Sequence, residues 1–130
     1  MREILFRGKH ANPYDTEDWY YGYYKRTNNV YHYIIKENGN IIPINSKTLG
    51  QFTGLRDKNG IKIFEGDIIK QYDDISKVYW DEDACKFLIR CYNTGLPTNL
   101  VLPCALHSSC TYEVIGNIYD NPELLKGVKE

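Results

Sequence analysis

The fold class is decided by residues 50–72, whose sequence is GQFTGLRDKNGIKIFEGDIIKQY. Short apolar and β-branched runs alternate there with turn signals, among them the pair Asn59-Gly60. Asn-Gly is a strong hairpin signal because both residues tolerate a positive φ. A second tight turn is predicted at Glu65-Gly66-Asp67, where Gly66 takes a positive φ without strain. Short strands separated by such turns are typical of an all-β domain.

The same pattern continues on both sides of this stretch. Residues 19–25 and 30–35 predict a hairpin that carries six tyrosines, as suits a half-wet sheet surface. Pro43 marks the next strand as a sheet edge, because proline has no N–H to donate to a neighbouring strand. Near the end of the chain, Asn121 as N-cap followed by proline predicts a short helix over residues 122–126.

We therefore predict a mainly β protein with a small SH3-like barrel over roughly residues 48–120. Closure of short, bent strands into such a barrel removes most exposed sheet edges. In this interpretation residues 1–47 form a tyrosine-rich, antiparallel N-terminal β subdomain. Residues 48–130 form the barrel with the short C-terminal helix, and the two parts make one compact unit.

Length and composition exclude several classes of protein. A chain of 130 residues with 25% charged and 42% hydrophobic residues can bury a core, which excludes wholesale disorder. Sixteen basic and seventeen acidic residues leave a net charge of -1, which argues against a protein that coats nucleic acid by charge alone. Because no apolar run is long enough for a signal peptide or a bilayer span, we expect a cytoplasmic protein that does not enter membranes.

The cysteines offer one metal-binding hypothesis. Cys104, His107 and Cys110 have the spacing Cys-x2-His-x2-Cys, and Cys85 or Cys91 would supply the fourth ligand of a zinc ion. The chain has no Cys-x2-Cys pair, however, and Cys85 and Cys91 fit an apolar strand face without a metal. Reduced, free cysteines are the favoured interpretation, and we expect no metal and no other cofactor.

Catalytic patterns are equally weak. The acidic runs at residues 73–74 and 81–83 lie at predicted turns, where aspartates are ordinary turn formers rather than cation ligands. Ser108 and Ser109 adjoin His107, but sequence neighbours rarely face each other in a catalytic triad, and no Gly-x-Ser-x-Gly elbow is present. We predict that the protein is not an enzyme.

Aromatic and basic side chains give the best binding hypothesis. Tyrosine and tryptophan are enriched at protein interfaces, so the tyrosine-rich hairpin predicts a protein partner, including a second copy of the chain. The second choice is nucleic acid, since small β-barrels stack bases on aromatic rings while lysine or arginine contacts the phosphates. The alternative for each single tyrosine is a ring that merely covers the sheet. The candidate partner-binding residues are Tyr21, Tyr23, Tyr31, Tyr33, Arg56, Lys58, Tyr72 and Trp80.

Three blocks resemble a known family. They are residues 1–7 (MREILFR), residues 50–70 around the motif TGLRDKNG, and residues 113–125 (EVIGNIYDNPELL). In this order they resemble the YopX family of phage and prophage proteins. The resemblance implies a β-rich fold with an SH3-like barrel, a phage or prophage origin and residence in the bacterial cytoplasm. The family's function is unassigned, so the resemblance supplies no catalytic residues.

Together these observations predict a non-enzymatic, phage-encoded binding module that acts through protein–protein contacts or forms a homo-oligomer. The alternative is a nucleic-acid-binding accessory protein that uses aromatic and basic residues on a small β-barrel. Residues 57–60 and 65–67 are assigned to architecture, because their turn chemistry is sufficient to explain them.

Overall fold

The computed structural model describes residues 3–15, 19–28, 30–91 and 111–125, together with the backbone of residues 97–99. The chain forms two compact units, residues 1–52 (unit 1) and residues 53–130 (unit 2). The boundary predicted from the sequence, after residue 47, lies a few residues before this division.

Unit 1 is an antiparallel sheet with the strand order β4-β3-β2-β1-β5. A single 3₁₀ turn, Ser46–Thr48, connects β4 to β5. The strand β5 runs through the boundary into unit 2. The five strands are β1 (Phe6–Gly8), β2 (Tyr20–Thr27), β3 (Tyr31–Ile35), β4 (Ile41–Pro43) and β5 (Gly50–Arg56).

The core of unit 1 lies on one side of this sheet. Alternate residues of a strand point to opposite faces, so Tyr20 is buried and Tyr21 is exposed. Tyr20, Ile34 and Ile44 form the buried cluster. Three partly buried apolar residues pack against that cluster: Phe6, Ile42 and Leu49.

The edge of unit 1's sheet is partly covered. β4 is the last strand of the sheet, as the proline at residue 43 predicts. The N–H of Ala11 donates to the carbonyl of Pro43 (2.9 Å), and the N–H of Asn45 donates to the carbonyl of Lys9 (2.8 Å). The segment that follows β1 therefore hydrogen-bonds along the outer side of residues 43–45.

Unit 2 contains a five-stranded antiparallel sheet with the order β10-β9-β8-β7-β11. β6 (Lys62–Phe64) is the neighbour of β5 in the first sheet. The remaining strands are β7 (Asp67–Gln71), β8 (Asp74–Asp81), β9 (Lys86–Cys91), β10 (Pro97–Asn99) and β11 (Glu113–Asn117). The buried cluster of this unit is Ile63, Ile69, Val78, Ile89 and Tyr112.

The turn before β7 forms as predicted. Gly66 has φ +92°, a conformation that a side-chain-bearing residue rarely adopts, and an added Cβ would lie 3.2 Å from the ring of Tyr119. Beside it, the carboxylate of the buried Asp67 accepts a hydrogen bond of 2.7 Å from the N–H of Phe64. This side chain thus satisfies a backbone donor at the turn.

The buried carboxylate of Asp57 organises the turn between β5 and β6. Its Oδ1 accepts hydrogen bonds from the N–H groups of Asn59 (2.8 Å) and Ile61 (2.9 Å). Its Oδ2 accepts a hydrogen bond from the N–H of Val114 in β11 (2.9 Å). Asp57 therefore closes a local turn and also fixes that turn to a strand far along the chain.

The mainly β class is confirmed, but the SH3-like barrel is not. The strands that the structure describes form open sheets, and in unit 2 the strands β10 and β11 lie at opposite edges. β11 pairs with β7 and β10 pairs with β9, so neither strand completes a ring among the described residues. Residues 100–110, which connect these two strands, lie outside the described part of the chain.

The predicted C-terminal helix is a single 3₁₀ turn, Pro122–Leu125. Asn121 was expected to cap an α-helix, but its side-chain oxygen accepts a hydrogen bond from the N–H of Asn117 instead (3.2 Å). The carbonyl of Asn121 accepts from the N–H of Leu124 (3.0 Å), which is the i to i+3 spacing of a 3₁₀ turn.

Candidate binding surface on unit 1

The four tyrosines predicted in the hairpin lie on one face of unit 1's sheet, opposite the core. Directly paired residues of neighbouring strands point to the same side, so the register decides which residues share this surface. Tyr23 pairs with Ile35, Lys25 with Tyr33, Thr27 with Tyr31, Tyr33 with Pro43 and Ile35 with Ile41. We call this surface the tyrosine face and define it as Tyr21, Tyr23, Lys25, Tyr31, Tyr33, Ile35, Ile41 and Pro43.

The tyrosine face is exposed and apolar. Tyr21 is 45% exposed, Tyr23 66% and Tyr31 59%, while Tyr33 is half-buried. Ile41, on the edge strand, is 54% exposed. Large side chains with this much exposed surface contribute little to the core, because a ring that packs flat on its own sheet is mostly buried. The arrangement therefore favours contact with a partner over simple coverage of the sheet.

Exposed charge on the tyrosine face is limited to one side chain, because Arg7, which pairs with Tyr21 on the same side of the sheet, is buried. Lys25 is exposed, and it forms no ion pair within the described part of the chain. Arg26, the next residue, lies on the other side of the strand because it pairs with His32. None of the eight residues that define the face is acidic.

Two further cations lie near one end of β2. The guanidinium carbon of Arg7, which pairs with Tyr21, is 4.4 Å from the centre of the Trp19 ring, and the Nζ of Lys9 is 5.4 Å from it. Both distances are within the range of cation–π attraction. Because Arg7 is only 6% exposed, its charge is not available to a ligand.

The predicted basic residues of unit 2 are used locally. The Nη1 of Arg56 donates to the carbonyl of Gly60 across the turn (3.1 Å). The Nζ of Lys58 lies 3.5 Å from the Oε1 of Glu113 in a half-exposed ion pair. Since both belong to unit 2, they are not part of the tyrosine face.

The two predicted aromatic residues of unit 2 occupy different sites. Tyr72 is 76% exposed in the turn between β7 and β8, with φ +55°. Trp80, at the end of β8, is 41% exposed and meets Phe87 edge to face, with ring centres 5.0 Å apart. Trp80 pairs directly with Phe87 across the β8–β9 hairpin. Both residues belong to unit 2, whereas the tyrosines of β2 and β3 belong to unit 1.

The structure adds three residues that the sequence did not predict as candidates. Ile35 and Ile41 lie on the tyrosine face, and Phe87 packs against Trp80. The two isoleucines belong to apolar runs whose alternation is ambiguous until the register is known. The aromatic pair at the end of the β8–β9 hairpin could have been found by aligning Trp80 with Phe87 across the acidic turn. Finding these residues from the sequence requires the register in which the strands pair, because residue type alone does not show which side chains lie opposite each other.

No metal centre is formed by the described residues, in which no three His, Cys, Asp or Glu side chains are grouped closely enough to hold an ion. Cys85 is exposed in the β8–β9 turn with φ +54°, and Cys91 is half-buried at the end of β9; both are free thiols. Cys85 therefore does not share the strand face predicted for it. Cys104, His107 and Cys110 lie outside the described residues, so the zinc hypothesis stays open.

Within the ranges that the structure describes, no helix has the length and apolar character needed to cross a bilayer.

The comparison with known families agrees with the sequence blocks described above. The family model described as YopX protein matches residues 6–126. The chain belongs to the YopX family. The match includes the strands of the tyrosine face and the Asp57 turn, so both lie within the part of the chain that defines this YopX-family protein. No curated protein matches the chain.

Proposed function

We propose that this YopX-family protein is a non-enzymatic, phage- or prophage-encoded cytoplasmic module that acts by binding protein, including a second copy of itself, through the tyrosine face. The observation that carries the proposal is the common orientation of Tyr21, Tyr23 and Tyr31, which are all exposed on one side of a sheet whose other side is a complete core. The fourth tyrosine and Ile41 complete the surface.

A protein partner suits the chemistry of this surface. Tyrosine supplies a large apolar ring at low cost in side-chain entropy, and its hydroxyl group can remain hydrated or donate to a partner. Along the edge strand β4 the face is aliphatic, at Ile41 and Pro43, rather than charged. An aromatic centre with few charged residues is the composition of the buried part of a protein–protein interface.

The flat surface of the sheet is a better contact than its edge. In an antiparallel pair, alternate residues turn their backbone groups away from the neighbouring strand. The N–H of Ile44 donates to the carbonyl of His32 in β3, so the backbone groups of Pro43 and Ile41 point away from β3. Pro43 has no N–H and its carbonyl already accepts from Ala11, so only Ile41 offers outward backbone groups. Strand addition to β4 is therefore weakly supported.

Nucleic acid is the second candidate, favoured by one observation. Lys25 is flanked by the rings of Tyr23 and Tyr33. A cation beside aromatic rings is the combination that binds single strands, by contact with phosphates and by stacking of bases. Against it, the nearby Arg7 is buried and Lys9 is half-buried beside Trp19, so Lys25 is the one exposed cation among the eight residues of the face that would contact the phosphates.

The protein-binding proposal is tested first by light scattering over a wide range of protein concentrations. The wild-type chain should exceed the 15.2 kDa mass of one copy as its concentration rises. The double variant Tyr23→Thr/Tyr31→Thr should stay at that mass, because threonine retains strand propensity but removes both rings. Tyr72→Asn is the matched control: it removes an exposed tyrosine outside the face, asparagine tolerates the φ of +55° at that position, and the variant should behave as wild type.

Two results would overturn the proposal. A wild-type chain that remains a single copy at every concentration would exclude self-association. Fluorescence anisotropy with single-stranded oligonucleotides then decides the alternative: micromolar binding that weakens with added salt, and that is lost in the double variant, would replace protein with nucleic acid.

A further inference from the structure

We propose that the partner of the tyrosine face is the tip of the β8–β9 hairpin in a second copy of the chain. The hairpin tip is defined as residues 80–87, which includes Trp80 and Phe87 and the acidic turn between them. This inference rests on the proposed function and names both the occupant of the face and the surface that the occupant presents.

The hairpin tip combines an aromatic pair, of which Trp80 is exposed and Phe87 is half-buried, with exposed carboxylates. Trp80 is 41% exposed and packs edge to face with Phe87. The Oδ1 of Asp81 accepts the N–H groups of Asp83 (2.9 Å) and Ala84 (3.2 Å), which holds the turn in shape. That arrangement gives the aromatic pair a rigid support.

Two carboxylates extend from this turn without a partner. Glu82 and Asp83 are exposed, and neither forms an ion pair among the residues that the structure describes. Lys25, at the centre of the tyrosine face, is likewise exposed and has no ion pair there. The tip has three acidic side chains and one basic side chain, Lys86, so its net charge is -2, while the tyrosine face carries the positive charge of Lys25. Each surface thus presents aromatic rings beside a net charge, and the two charges are of opposite sign.

A symmetric contact of the tyrosine face with itself fits less well. A two-fold interface would bury Lys25 and its copy in one patch whose defining residues include no carboxylate. Burying two unpaired ammonium groups costs several kcal/mol in desolvation. A partner that brings a carboxylate to Lys25 removes that cost, and the hairpin tip does so.

The net charges of the units point in the same direction. Residues 1–52 contain seven basic and five acidic side chains, a charge of +2, while residues 53–130 contain nine and twelve, a charge of -3. Opposite charges on the two contacting units steer association between copies and strengthen it at low salt.

This contact would be heterologous, because it joins two different surfaces. Each copy then has one face and one tip to offer, so association continues until a ring closes or a filament grows. A symmetric dimer, by contrast, would stop at two copies. The size of the assembly and the effect of blocking one surface therefore distinguish the two arrangements.

The test is complementation between two blocked variants. The face variant is Tyr23→Thr/Tyr31→Thr, and the tip variant is Glu82→Lys/Asp83→Lys, which leaves Trp80 and Phe87 in place. Each variant alone should scatter light as a single 15.2 kDa copy, with the apparent Kd for self-association raised by at least about tenfold. An equimolar mixture should form a dimer and stop there, because the intact face of one variant binds the intact tip of the other.

The control carries the same change of charge elsewhere in unit 2, as Asp73→Lys/Glu123→Lys, and is compared at physiological salt, where long-range charge is screened; there it should assemble like the wild type. Circular dichroism of every variant checks that it folds. If the tip variant assembles like the wild type, the inference is overturned while the proposed function stands. A mixture that stays monomeric also overturns it, and a wild-type chain that never associates overturns both this inference and the self-association part of the proposed function.

Discussion

Unit 2 uses its polar motif residues to satisfy its own backbone, whereas unit 1 leaves its aromatic residues at the surface. In unit 2, Asp57 alone accepts three backbone N–H groups, and Asp67 accepts a fourth. In unit 1, Tyr21 and Tyr23 project away from a core that is complete without them. The fold therefore explains the buried aspartates of unit 2, but it does not explain the exposed tyrosines of unit 1.

This difference teaches where to look for function. A polar side chain that is buried and fully hydrogen-bonded is explained by the fold, so its mutation reports stability. An exposed ring with no role in the core contributes little to stability, so its mutation tests binding instead. Variants of the buried aspartates and of the exposed tyrosines therefore differ in what they change, stability in one case and association in the other.

The largest contrast is expected between two tyrosines of the same strand. Tyr20→Thr removes a ring packed against Ile34 and Ile44, together with a hydroxyl donor to Asp15 (3.1 Å), and should cost about 4 kcal/mol of unfolding free energy. Tyr23→Thr on the opposite face should change it by less than about 0.5 kcal/mol. Urea denaturation of dilute protein measures both. Similar losses at the two positions would show that Tyr23 supports the fold, which removes the main argument for the tyrosine face.

The next effect concerns the Asp57 turn. Asp57→Ala leaves three backbone N–H groups without their acceptor and should reduce the unfolding free energy by about 3 kcal/mol. The matched control is Asp73→Ala, since Asp73 is an exposed turn aspartate, and its expected effect is below about 0.5 kcal/mol. Equal denaturation midpoints for wild type and Asp57→Ala would contradict the architectural role assigned to this motif.

The smallest effect is expected at the ion pair between Lys58 and Glu113. Both side chains are nearly half-exposed and their atoms are 3.5 Å apart, so Lys58→Gln should cost less than about 0.5 kcal/mol, and added salt should erase the difference. Denaturation at low and high ionic strength measures this. A loss that persists in high salt, or weaker binding by a partner, would return Lys58 to the list of candidate contact residues.

Much of unit 2's local structure was predictable because turns are local. Gly66 has the positive φ that its sequence context requires, and the Asn59-Gly60 turn joins two strands as expected. The predicted barrel depended on long-range pairing of strand edges, which no local signal determines. The terminal helix failed for a similar reason, because Asn121 bonds to the preceding strand instead of capping a helix.

The candidate surface was predictable in part. Tyr21, Tyr23, Tyr31 and Tyr33 share one face, as alternation within each strand suggests. Arg56, Lys58, Tyr72 and Trp80 were grouped with them by residue type, yet they all belong to unit 2. Residue type selected side chains of a kind that suits binding, but only the strand register shows which of them share one face of a sheet.

Three features could be predicted from the amino-acid sequence: the β class, the position of the tight turns and membership of the YopX family. Each depends on a local property, namely strand alternation, turn conformation and a family motif. Only the tertiary structure decided that β4 would pair with β3 in a register that places Ile41 beside the tyrosines. It likewise decided that Asp57 would reach Val114. Those arrangements depend on which distant segments pack together, and packing is a property of the whole fold rather than of any short stretch of chain.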